Sequence, residues 1–181
     1  MSNNELDFRI ATLGENRIPS TMSGVLFVDN EDRVLYHSDP KKILPIMEKG
    51  ETPPGFEMAG PRKDIYFDPS KLKCGIVTCG GLCPGLNDVI RAIVLSLFHH
   101  YGVKNVFGFR YGFEGLSSRH RHMPIELTPE EVADIQRAGG TSLGSSRGPQ
   151  DVSDMVDTLD KMNVGILFAI GGDGTLRGAH A

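Results

Sequence analysis

The sequence predicts an α/β protein built on a doubly wound, three-layer (αβα), mostly parallel sheet, preceded by an accessory arm with a small β element. Three observations predict it. The hydrophobic period changes from strand-like to helical across Cys74–Phe98. A second apolar run, Val164–Ile170, ends in another glycine turn that opens into a helix start. Between the two, apolar runs and helical stripes alternate, the pattern of successive βα units.

The arm is assigned to residues 1–72 and the main domain to 73–181. In the arm, Phe8–Thr12 reads as a strand, and Gly24–Val28 and Val34–His37 read as a hairpin around the polar turn Asp29–Asp32. Ile43–Met47 has the look of a helical turn that Pro45 opposes. Pro53, Pro54, Gly55, Gly60, Pro61 and Pro69 mark an irregular connector, interrupted by Ile65–Phe67.

In the main domain, the short apolar run before Gly80 reads as a strand buried on both faces. Leu86, Val89, Ile90, Ile93, Val94, Leu97 and Phe98 then form one helical stripe, with Asn87, Asp88 and Arg91 looking outward. Gly80, Gly81 and Gly85 lie between. Glycine permits positive φ and close backbone approach, and a helix N-terminus favours anions, so this turn is either a plain βα connection or a phosphate cradle. It matches neither the G-x-G-x-x-G fingerprint nor a Walker A loop.

Val103–Phe109 reads as the next strand and empties into the loop Arg110–Leu116. Arg119, His120, Arg121 and His122 form a polar cluster, a solvated connector or an anion site. Thr128-Pro-Glu-Glu131 carries the marks of a helix start, with Thr128 as N-cap, Pro129 first and Glu131 closing a capping box. Val132 and Ile135 would face inward until Gly139-Gly140 stops the helix. The hydroxyl-rich loop Thr141–Pro149 carries Arg147, for a ligand or for a nearby carboxylate. From Asp151 a stripe returns as Val152, Met155, Val156 and Leu159, with Asp154, Asp157 and Lys161 outside, and Val164–Ile170 follows as a central strand.

With 181 residues, 39% apolar and 23% charged, the chain can pack a core. A net charge of −4 gives no general attraction to nucleic acid. Neither a secretory leader nor an apolar run of about 18 residues is seen, so no membrane partner and a cytoplasmic location are expected. Cys74, Cys79 and Cys83 lack a fourth ligand and read as reduced thiols.

In a doubly wound sheet the turns after Thr78, Phe109 and Ile170 emerge on one edge, where ligands gather. Two backbone cradles, the Arg147 guanidinium and the Asp173 carboxylate would then share a site, the parts that phosphoryl transfer needs. Asp173 holds a metal or caps the following helix.

Gly80-Gly-Leu-Cys-Pro-Gly-Leu-Asn87, Gly108-Phe-Arg-Tyr-Gly-Phe-Glu-Gly-Leu116, Gly139-Gly-Thr-Ser-Leu-Gly-Ser-Ser-Arg147 and Gly171-Gly-Asp-Gly-Thr175 together resemble the amino-terminal half of a 6-phosphofructokinase. The last motif alone also occurs in NAD kinases and diacylglycerol kinases; four in order are far more specific. The arm and Ile65–Pro69 resemble the branch of plants, trypanosomatids and many bacteria, similar to pyrophosphate-using relatives.

The resemblance implies ATP as donor, Mg²⁺ as metal, fructose 6-phosphate as acceptor and a homo-oligomer at full length. It implies that Gly81 contacts the donor phosphates and that Phe113 lies near the nucleotide. Arg147 would contact the transferring phosphoryl region, Asp173 would serve Mg²⁺, and Gly174, Thr175 and Gly178 would border the nucleotide. In this family a glycine after the metal aspartate accompanies ATP and an aspartate accompanies pyrophosphate. Gly174 therefore favours ATP, since a second carboxylate would repel and crowd the α-phosphate. The family's Thr-Ile-Asp segment with the base aspartate is not in this sequence, nor are its sugar-binding arginines. The base aspartate and most of the sugar site are expected beyond Ala181. A fragment that does not turn over by itself is expected, with pyrophosphate use or a non-catalytic nucleotide-binding module as alternatives.

Overall fold

The polar turn Asp29–Asp32 closes, but not as the tip of a hairpin. In the computed structural model, which describes Phe8 and residues 11–181, the Asp32 amide donates to the Asp29 carbonyl at 3.2 Å, yet the flanking segments find other partners. Strand β1 (Ile18–Pro19), β2 (Arg33–Leu35), helix α1 (Pro40–Glu48), β3 (Gly55–Glu57) and β4 (Asp64–Ile65) make up the amino-terminal unit, which ends at Tyr66. β2 pairs antiparallel with β3, Val34 opposite Phe56, and β1 pairs antiparallel with β4. Val28 donates its amide to the Pro61 carbonyl at 2.9 Å instead of joining β2. Gly55 explains the choice of partner. A Cβ there would meet the Val34 carbonyl at 2.9 Å, so only glycine brings β3 this close to β2.

Helix α1 forms although Pro45 lies inside it. Asp39 caps it, its side chain accepting from the Lys41 amide at 3.0 Å, and Pro40 occupies the first turn, where a missing N–H costs nothing. Of the strand expected over Phe8–Thr12, residues 9 and 10 lie outside the described residues, and Phe8 packs its ring on Tyr36 and Phe56.

The second unit begins at Phe67, earlier than the Lys73 suggested by sequence. Phe67 and Leu72 already belong to its core, both lying over Gly165. Its elements are β5 (Lys73–Thr78), α2 (Leu86–Ser96), β6 (Asn105–Gly108), β7 (Ile125–Glu126), α3 (Val152–Lys161), β8 (Ile166–Ile170) and α4 (Asp173–His180). The sheet runs β7-β6-β5-β8, with β5 parallel to both neighbours and β7 antiparallel. Strand β8, expected to be central, stands at the edge of this sheet, and all five of its residues are only half-buried.

β5 is the spine. Cys74 and Ile76 face one core with Ile90 and Val94 of α2, while Val77 faces the other with Phe109, Leu116 and Met155 of α3. Helices therefore cover opposite faces, giving three layers. Burying a side chain such as Ile90 fully contributes roughly 1.5–3 kcal/mol, so α2 is held by its apolar stripe.

Three helical expectations are corrected. Asn87 does not look outward. Its amide is buried and donates to the Ile135 and Ala138 carbonyls at 2.9 and 3.1 Å while accepting from the Ser142 amide at 2.7 Å. Val89 and Val156, placed inside by the period, are exposed. The helix expected from Thr128 forms only its first turn, with the Glu131 amide on the Thr128 hydroxyl, and then gives way to a short 3₁₀ turn, Ile135–Arg137. The Asn87 side chain binds two carbonyls of the segment that replaces the rest of that helix.

Candidate active site

Thr78 of β5 lies level with Ile170 of β8, and the Cys79 amide donates to the Ile170 carbonyl at 2.9 Å. The two glycine turns therefore leave neighbouring parallel strands at one height. The first turn needs its glycines. Gly80 and Gly85 have φ of 81° and 88°, the left-handed region, and Gly85 starts α2 without any side-chain cap.

The loop that brings Arg147 is pinned at four points. Thr78 donates its hydroxyl to the Gly144 carbonyl (2.7 Å), and Asn87 accepts from the Ser142 amide. Ser146 donates to the Tyr111 carbonyl (2.6 Å), and Ser145 donates to the Gly80 carbonyl (2.6 Å). Hydroxyls in this loop thus tie it to the first glycine turn and to the Phe113 loop. Arg147 itself is exposed and makes no ion pair among the described residues.

These pieces enclose a cleft of about 670 Å³. Gly81, Phe113, Arg147, Gly174, Thr175 and Gly178 all line it, so the six residues singled out for the nucleotide meet in one place. A Cβ on Gly81 would sit 3.9 Å from the Arg147 guanidinium, which places turn and cation side by side. The Phe113 ring lies flush on Gly178, where a Cβ would come within 2.7 Å of it. Asp173 does not line the cleft; it is the first residue of α4, exposed, between two glycines that do. No side chain caps α4, so the Asp173 carboxylate is not spent as a cap. Thr175 is buried and presses on Gly171, which makes it a structural wall. Ala181, the residue beyond which the base aspartate is expected, is exposed at the far end of α4, its amide donating to the Arg177 carbonyl at 3.1 Å, and it does not line the cleft. The length of α4 separates it from the Gly172 end of that helix, so the position itself takes no part in the site.

A second cleft, of about 490 Å³, lies against the same Gly80–Gly81 turn and is also lined by Arg147, together with Gly140 and Ser145. Arg147 therefore borders both. Sequence reasoning missed Arg177, a second cation on the first cleft, and Cys79 at its floor. Arg177 stands four residues after Asp173, hence on the same helix face, and that spacing was readable. Burial pushes the Cys79 thiol above its ordinary value, with the Phe113 amide and the Thr175 hydroxyl acting in the opposite sense.

Residues 73–181 match the family model described as Phosphofructokinase. The chain belongs to the phosphofructokinase family. An ATP-dependent 6-phosphofructokinase of Amycolatopsis methanolica is 49% identical over 181 residues, 96% of this chain and 39% of that protein. One of Trypanosoma cruzi is 58% identical over 123 residues, 68% of this chain and 25% of that protein. The chain thus spans about two fifths or less of the length of these relatives. The structure of Pichia pastoris phosphofructokinase in the T-state superposes with a TM-score of 0.52 at 20% identity, over 81% of this chain and 19% of that one, a likeness of fold. Among the described residues, no helix of this phosphofructokinase-family chain is long and apolar enough to cross a membrane.

Proposed function

We propose that the chain supplies the nucleotide-binding part of an ATP-dependent 6-phosphofructokinase, a cytoplasmic, homo-oligomeric enzyme of glycolysis when whole. In the reaction, O1 of fructose 6-phosphate attacks the γ-phosphorus of ATP. The bond from that phosphorus to the β–γ bridging oxygen breaks, ADP leaves, and the hydroxyl proton passes to a base. That base and the cations for the sugar phosphate are proposed to lie in the part of the enzyme outside this chain, which spans about two fifths of its relatives.

One observation carries the reading: two glycine turns, Phe113 and Arg147 line one cleft, and Arg147 also borders a second. In the first cleft the Gly81 amide and its turn would receive phosphate oxygens, since backbone N–H groups cost no reorganisation as charge develops. Arg147, free of ion pairs among the described residues, would sit against the transferring phosphoryl group between the clefts. Val152, Met155 and Phe113 offer an apolar wall to the nucleoside. Nothing lies within 4 Å of a Cβ built on Gly174, so no packing demands glycine there, which supports reading it as room for the α-phosphate.

Mg²⁺ fits the donor set. It is held through one or two carboxylates plus substrate phosphates, and Asp173 presents an exposed carboxylate not engaged in capping α4. When bound, the ion would neutralise charge on the phosphate oxygens. Arg177, one turn further on, would add a second positive charge to the same wall.

Calorimetric titration of the 181-residue chain with ATP, ADP and pyrophosphate in the presence of Mg²⁺ tests the proposal. Binding of ATP and ADP, with pyrophosphate weaker, is the expected result. Preference for pyrophosphate over ATP would overturn the donor assignment, and phosphorylation of fructose 6-phosphate by this chain by itself would overturn the division of labour.

A further inference from the structure

On the 3₁₀ turn Gly112–Leu116, the side chain after Phe113 is Glu114, and it faces away from the first cleft toward the loop that follows. Its Oε1 lies 3.0 Å from His122 Nε2 and 3.8 Å from His120 Nδ1. One ligand atom from each of the three residues lies within 4.8 Å of the other two. The two imidazoles are parallel, 3° apart in plane, and the Tyr111 ring packs on His122 with centroids at 4.8 Å. All three side chains are partly shielded, with His120 the most exposed at 41%.

We propose that Glu114, His120 and His122 form a site for a divalent transition metal of the zinc class, which clamps the 117–123 loop onto the turn that carries Phe113. The chemistry selects the ion. Two imidazole nitrogens and one carboxylate oxygen suit Zn²⁺, Co²⁺ or Ni²⁺, whereas Mg²⁺ prefers oxygen throughout. In a tetrahedral zinc site, ligand atoms at about 2.0–2.1 Å from the metal stand about 3.3 Å apart. The two carboxylate–imidazole separations, 3.0 and 3.8 Å, bracket that distance, and the three ligand atoms together lie within 4.8 Å, so side-chain rotations that draw the two imidazole nitrogens nearer close the set and leave one position for water. The hydrogen bond between Glu114 and His122 shows that the carboxylate already faces the imidazole edge it would share with the metal. Nearby cations leave room for the ion. Arg119 reaches away to Asp151 at 3.5 Å, and Arg110 lies over the Tyr111 ring. The cluster read from sequence as a solvated connector or an anion site thus divides: Arg119 points elsewhere, and the two histidines converge on a carboxylate.

Tryptic cleavage after Arg119 and Arg121, the bonds adjoining the two histidines, reads the clamp without any nucleotide. Micromolar Zn²⁺ in millimolar Mg²⁺ is expected to slow cleavage there at least tenfold while cleavage after Arg33 and Lys63 proceeds unchanged. Co²⁺ titration is expected to give visible absorption of a four-coordinate site at one ion per chain. Both effects should disappear in His122→Ala and in His120→Ala, with circular dichroism verifying the fold; His120 is exposed enough that its replacement leaves the core intact. Equal cleavage with and without Zn²⁺, or Co²⁺ spectra unchanged in both histidine variants, would overturn the site.

Discussion

The two glycine turns of the cleft look alike in sequence and are held in opposite ways. The first, at Gly80–Gly81, is open: a Cβ on Gly80 meets nothing within 4 Å, and one on Gly81 meets only Arg147. Its shape comes from backbone φ and from a distant loop, through the Ser145 hydroxyl. The second is closed at its base. A Cβ on Gly171 would run into the Thr175 hydroxyl and stand 2.8 Å from the Cys79 carbonyl, whereas Gly172 and Gly174 have open space. One turn is thus shaped by a distant loop, and the other by its own helix together with the Cys79 carbonyl just past β5. Within the second turn, packing demands glycine at 171 and makes no such demand at 174, which lines the cleft.

Replacing these two glycines tests that division most severely. Gly171→Val should destabilise by about 3 kcal/mol, the upper range for overpacking, because backbone must move. Gly174→Ala, in the first turn of α4, should leave stability unchanged or raised by less than about 1 kcal/mol. Urea denaturation of both variants reads the contrast directly; equal losses would remove it.

Asn87→Ala attacks the distant support of the first turn. It leaves two carbonyls and an amide without their partner and should cost about 2 kcal/mol, with increased hydrogen exchange over residues 139–147 and none over α4.

Asp154 offers a smaller effect, visible only in acid. Its carboxyl is held below the ordinary value of 3.8, first by the Ser118 hydroxyl and then by the Ser117 hydroxyl. A lowered folded-state value contributes stability that is fully present above the unfolded value and is lost as pH falls through the folded one. The stability gap between the native chain and Asp154→Asn should therefore be constant from about pH 8 to pH 5 and shrink below about pH 4. A gap that widens in acid would contradict the assignment.

The thiols give the mildest test. Cys83 is exposed, Cys79 half-buried, and burial pushes Cys74 up to about 11, so alkylation at neutral pH should reach Cys83 first and Cys79 next, and leave Cys74 unmodified while the fold persists. Mg-ATP should slow only Cys79, which lines the cleft.

How much of this was legible in the sequence follows from the same contrast. Short-range pattern carried β5, α2, α3 and the Gly171 turn, because each is fixed by its own period or glycine. It failed where a distant group decides. Asn87 reads as a surface residue on the helical wheel, and only the fold shows the carbonyls it binds. The Thr128 hydroxyl caps the Glu131 amide as expected, but the α-helix does not extend beyond that turn. The arm's β2 pairs across the connector with β3, where Gly55 permits an approach that a Cβ would block, and local pattern does not reveal that pairing. For the site, the resemblance named six cleft-lining residues and the i, i+4 spacing from Asp173 could have added Arg177, while the Glu114–His120–His122 cluster needed three dimensions.

The proposed reason for glycine at 174 is room for a nucleotide. Calorimetric titration of Mg-ATP into the native chain, Gly174→Ala and Gly174→Asp tests this most directly. Affinity should fall modestly with alanine and by at least about tenfold, or 1.4 kcal/mol, with aspartate, while pyrophosphate binding is retained. Undiminished ATP binding by Gly174→Asp would contradict it.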